Sequence, residues 1–116
     1  MILGLDISTS CTGWCVLSEC GDLGSMGYID LKSKKCLFDK SVIVKRELSS
    51  INLKNEIMHI FIEENLQSFR SGFSSAQTLS TLARFNGIVS YLCFDEFGFK
   101  PLFLNVNSSR KALGIK

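Results

Sequence analysis

The stretch that decides the fold is the amino-terminal run 1-MILGLDISTSCTGWCVL-17. Residues 2–7 form a short apolar run broken only by Asp6, and residues 13–18 (GWCVLS) form a second β-rich run. Between them, STSCT is a small-residue turn of the kind that joins hairpin strands. Cys20-Gly21-Asp22 marks the next turn, and residues 24–31 make a third strand. Three strands with such short connections predict an antiparallel meander.

Beyond the meander the period changes. Over residues 38–54, Val42, Val44, Leu48, Ile51 and Leu53 alternate with Lys45, Arg46, Glu47 and Lys54. That spacing predicts a helix, against the β-branched Val42-Ile43-Val44. Residues 57–62 (IMHIFI) are almost continuously apolar and predict a strand buried on both faces, with His59 a packed strand residue. The run ends at Glu63-Glu64-Asn65. The polar NLQSFRSGF of 65–73 reads as a loop, after which Ser74 or Ser75 caps a helix running to about Phe97. Its apolar face is Ala76, Leu79, Leu82, Ala83, Val89, Leu92 and Cys93. Gly87 costs ~1 kcal/mol in mid-helix relative to Ala, which points to close packing there. Gly98 ends the helix, residues 102–106 form a last strand, and Ser108 or Ser109 caps the start of another helix. The order β-β-β-α-β-α-β predicts an α/β fold with a mixed sheet and helices packed on it.

The chain's 116 residues suit one domain, and 46% hydrophobic with 21% charged content excludes a disordered segment. A net charge of +2 permits a nucleic-acid partner without announcing one. No apolar run approaches the ~20 residues needed to span a bilayer. The start lacks the basic region of a signal peptide, so no membrane association is expected. Five cysteines without a C-x-x-C pair read as reduced thiols in a cytoplasmic protein, and with His59 the one histidine a zinc site is set aside.

Chemistry concentrates at Asp6 and Glu63, each at the end of a strongly apolar strand. A carboxylate in such a place is costly unless paired, hydrogen-bonded or bound to a cation. If the two strands are neighbours, the carboxylates meet at one edge of the sheet and repel, and a divalent cation with hard oxygen preference, Mg²⁺ or Mn²⁺, relieves them. The alternative is that Asp6 caps the following turn and Glu63 simply faces water. Glu64 alternates to the other face.

These residues carry a resemblance. MILGLDISTSCTGWCVL resembles the first hairpin of the RuvC-type Holliday-junction resolvases, phage-type members in particular, in the ribonuclease H-like superfamily: an apolar run, G-(I/L)-D, a small-residue turn and T-G. Ile62-Glu63-Glu64 resembles the family's I-E-(Q/E) at the end of the fourth strand. Ser74-Ser75-Ala76, Leu82-Ala83-Arg84 and Asn86-Gly87 resemble the helix that follows, and Arg110-Lys111-Ala112-Leu113-Gly114 the segment after the fifth strand. The resemblance implies a ribonuclease H-like five-stranded sheet and a crossover-junction endonuclease that hydrolyses phosphodiesters with two divalent metals, Mg²⁺ or Mn²⁺. Asp6 would bridge the metals and Glu63 would ligate one. Branched DNA is the implied substrate, and the implied assembly is a homodimer, with the Gly87 helix at the contact or, alternatively, packed on the sheet. Leu66 and Phe69 are candidates to stack among unpaired bases, Arg70 to meet a phosphate, and Lys100, Arg110 and Lys111 to contact the DNA backbone. An exposed loop and scattered surface cations are the plainer reading of the same residues.

The sequence departs from the family in one respect. Complete members carry two more acids on a C-terminal helix, spaced D-x-x-D or H-x-x-D, whereas after Glu64 this chain has Asp95 and Glu96, which do not match. The expectation is therefore a single domain over 1–116 lacking its C-terminal helix, a fragment inactive alone and acting in the cytoplasm (of the host, if viral). Two rivals stand beside it: a catalytically inactive module that binds branched DNA, and a phosphate-binding fragment of an actin-like or sugar-kinase-type protein, which opens with a similar hairpin.

Overall fold

Alternation along the first strand sets the architecture. In the computed structural model, which describes residues 1–64 and 75–105, β1 (Ile2–Asp6) turns Leu3 and Leu5 into the core and Ile2, Gly4 and Asp6 to the other face. It pairs antiparallel with β2 (Cys11–Leu17), which pairs antiparallel with β3 (Leu23–Asp30). The expected meander is present, with β2 beginning two residues earlier than the small-residue turn suggested. Helix α1 (Leu37–Lys54) then leads to β4 (His59–Glu64), parallel to β1, and helix α2 (Ala76–Phe97) leads to β5 (Leu102–Asn105), parallel to β4. The sheet order is β3-β2-β1-β4-β5.

One hydrophobic core lies on one face of this sheet. Leu3, Leu5, Ile7, Val16, Ile29, Ile60 and Ile62 supply the sheet side, and Val44, Leu48 and Ile51 of α1 with Phe85, Val89 and Cys93 of α2 supply the helical side. The helix positions follow the three-and-four spacing of an amphipathic helix. Phe85, fully buried, belongs to this face although the apolar spacing had passed over it, and Ala76 and Ala83 are exposed. The Ser75 hydroxyl accepts from the Thr78 N–H to cap α2, and Gly98 closes it in the left-handed region at φ 83°.

Two expectations are corrected. Strand β4 is not buried on both faces: Ile60 and Ile62 are buried, Phe61 is half-buried and His59 is exposed, because helices cover one side only. Gly87 does not serve helix-on-sheet packing, since it is exposed and a Cβ there would meet nothing within 4 Å. All five cysteines are free, and burial pushes the Cys93 thiol up to about 12, which leaves it inert. No helix among the described residues is long and apolar enough to cross a membrane.

Candidate active site

Parallel pairing of β1 and β4 brings the two singled-out carboxylates together. Asp6 and Glu63 are partners in register, at the carboxyl ends of adjacent strands about 4.8 Å apart. Leu5 and Ile62 pair one step earlier and point into the core, so Asp6 and Glu63 share the opposite face. Glu64 follows Ile60 and Ile62 onto the helical side, leaving Glu63 as the partner of Asp6. Partial burial, and secondarily the negative charge of Asp6, hold the Glu63 carboxyl above its ordinary value.

The turn after Asp6 is built from hydroxyls. Thr12, fully buried, donates to the Ser8 carbonyl at 3.1 Å and accepts from the Ser8 N–H at 3.5 Å. The Ser8 and Ser10 hydroxyls lie 3.3 Å apart. From α1, the Lys40 ammonium donates to the Thr9 carbonyl. Lys40 escaped the sequence reading, and no local signal could have revealed it, because only the folded topology sets the start of α1 beside this turn.

The later acids lie elsewhere. Glu96 accepts from the Ser49 hydroxyl and from Asn52 Nδ2 at 2.9 Å, tying the end of α2 to α1. Since α2 leads back to the start of β5, which runs parallel to β4, this cluster sits at the opposite end of the sheet from Asp6. Among the described residues no group of three or more His, Cys, Asp or Glu is placed to hold a metal. Two hard carboxylate oxygens donors side by side nevertheless fit Mg²⁺ or Mn²⁺, which commonly take one or two protein carboxylates and complete their shell with water and phosphate. Leu66, Phe69, Arg70, Arg110 and Lys111 lie outside the described residues, as do Ser108 and Ser109; Lys100, just after α2, is exposed.

A sheet of three antiparallel strands extended by two parallel ones, with both helices on one face, is the ribonuclease H-like α/β fold. Among solved structures, those of the Holliday-junction resolvase RuvC are similar to it. Thermus thermophilus RuvC in complex with a Holliday-junction substrate matches with a TM-score of 0.74 and 13% identity, over 97% of this chain and 68% of that one. A second structure of the same organism's RuvC matches with a TM-score of 0.65 and 12% identity, over 97% and 66%. This chain thus spans about two-thirds of the length of those it matches. No protein-family model matches the sequence, and no curated protein matches it significantly.

Proposed function

We propose that this domain belongs to a metal-dependent, structure-selective endonuclease that cuts phosphodiesters at Holliday or other branched DNA junctions. The observation that carries the reading is the Asp6–Glu63 pair at the carboxyl ends of the two central strands of a RuvC-like sheet. Asp6 and Glu63 would hold the divalent ions, Mg²⁺ or Mn²⁺. When bound, such ions supply an activated water and neutralise charge on the leaving 3′ oxygen. The two carboxylates stem from paired positions of neighbouring strands and lie on the same face of the sheet. Leu66 and Phe69 would stack against unpaired bases, and Arg70, Lys100, Arg110 and Lys111 would meet phosphates.

A homodimer completes the reading, with α2 at its interface. Cys36, Leu37, Phe38, Arg84, Gly87 and Tyr91 line most of an apolar groove of about 770 Å³ at the start of α1. Phe38 is 77% and Tyr91 62% exposed beside the Gly87 hollow. One patch thereby carries both a recess and exposed aromatic side chains, features that a two-fold interface would use.

The test is cleavage of a synthetic four-way junction by the complete protein with Mg²⁺. Asp6→Asn should abolish cutting and leave junction binding intact; full activity in that variant overturns the assignment. A second reading is an inactive module that binds branched DNA through the same face. Junction-selective binding without Mg²⁺-dependent cutting by the complete protein would select it.

A further inference from the structure

Every carbonyl of the Ser8–Ser10 turn has a donor. Thr12 Oγ1 serves Ser8, the Leu31 N–H serves Ser10 at 3.0 Å, and the Lys40 ammonium serves Thr9. The first two come from within the meander itself. Lys40 alone reaches in as a side chain from another element, across 31 positions of sequence.

Its placement runs against local preference. Lys40 lies one turn into α1, where the helix dipole favours acids, and the start of α1 has no side-chain cap to offset it. Fixing a lysine side chain also sacrifices much of its rotamer entropy for one hydrogen bond to a neutral carbonyl. Helix stability does not account for a lysine here, whereas fixing the turn does.

We propose that Lys40 is a positioning residue for the metal-binding pair: by holding the Thr9 carbonyl it fixes the β1–β2 turn, and so the direction in which Asp6 leaves the sheet beside Glu63. This rests on the metal-site reading above. The bond acts as a brace between the first helix and the turn that begins two residues beyond Asp6. Loss of the brace lets the turn relax and gives the Asp6 side chain, at the strand end next to it, several arrangements beside Glu63, which weakens any ion held by both.

The test is titration of the 116-residue chain with Mn²⁺, the free ion followed by electron paramagnetic resonance, with thermal unfolding recorded in parallel. Asp6→Asn should abolish Mn²⁺ binding. Lys40→Met should weaken it about tenfold, the usual effect of removing a group that orients a metal ligand, and Lys40→Arg, which keeps a cationic donor of similar reach, should restore most of it. A purely structural lysine would instead lower the melting temperature and leave Mn²⁺ affinity untouched. Wild-type affinity in Lys40→Met, or no rescue by Lys40→Arg, overturns the proposal. If circular dichroism shows that Lys40→Met does not fold, Lys40→Gln takes its place with the same expected loss. Retained binding in Asp6→Asn would overturn the metal-site reading itself; loss there with full binding in Lys40→Met would remove only the role of Lys40.

Discussion

Asp6 and Glu63 stand opposite each other in the parallel β1–β4 register, and partial burial, then the charge of the first, raises the carboxyl of the second above its ordinary value. The pair is a local electrostatic defect in a sheet whose neighbouring positions, Leu5 and Ile62, are fully committed to the core.

That defect gives a pH signature. The Glu63 carboxyl, ordinarily near 4.5, is raised in the folded chain. Above about pH 4.5 the folded state therefore binds more protons than the unfolded one, and stability falls as pH rises through the folded value. Asp6→Asn removes one cause, so its denaturation midpoint should decline less between acid and neutral pH. At neutral pH the gain should be about 1 kcal/mol or less, since both groups reach solvent. Adding Mg²⁺ should raise the melting temperature of the wild-type chain and not that of the variant.

At the other end of the sheet the sign reverses. Hydrogen bonds from Ser49 and then Asn52, with Lys45 nearby, lower the Glu96 carboxyl below its usual value against a small opposing effect of burial. Its contribution is present above the unfolded value and fades as pH falls through the folded one. Glu96→Ala should therefore destabilise the chain modestly near neutrality and lose that effect in acid, as urea unfolding at several pH values would show. Junction binding should be unchanged, because Glu96 lies far from Asp6.

Gly27 on the edge strand β3 lies beneath the ring of Trp14, its neighbour in the β2–β3 ladder. A Cβ on Gly27 would approach Trp14 Cζ2 to 2.8 Å. Trp14 Nε1 is buried without a hydrogen-bond partner, so the indole is held there by packing alone. Gly27→Ala should displace the ring and cost about 1–3 kcal/mol. Trp14 is the chain's one tryptophan, so its fluorescence emission should move toward the red in the same variant.

The strand-level pattern was legible because β1, β2 and α1 obey their periods, and Asp6 stood out as the single charge in an apolar run. What escaped was set by which faces are covered. IMHIFI reads as doubly buried, yet His59 and Phe61 look out from a face without helices. Gly87 reads as a packing glycine, yet it lies on the outer side of α2. Lys40 and Thr9 meet through tertiary placement alone, which no window of sequence encodes.

Gly87 yields a paired prediction. With nothing within 4 Å of a Cβ there, Gly87→Ala should stabilise the isolated chain by about 0.5–1 kcal/mol through helix propensity. Gly87→Leu, which fills the groove, and Tyr91→Glu, which places a charge on its rim, should both shift the chain toward monomer in sedimentation experiments. If the wild-type chain is monomeric at every concentration tested, the proposed interface is wrong.

The pairing of β1 with β4 also bears on how the molecule comes into being. The meander of β1, β2 and β3 closes through short loops, but the β1–β4 contact must wait until a second hairpin strand, an edge strand and an eighteen-residue helix have been laid down between its two halves. Non-local contacts of this kind are slow to form, because loop-closure entropy must be met before they reward the chain. The carboxylate pair is consequently absent from any partly folded intermediate that contains only the meander. A nascent chain would assemble the proposed ion site late, at the step that joins the two parts of the sheet.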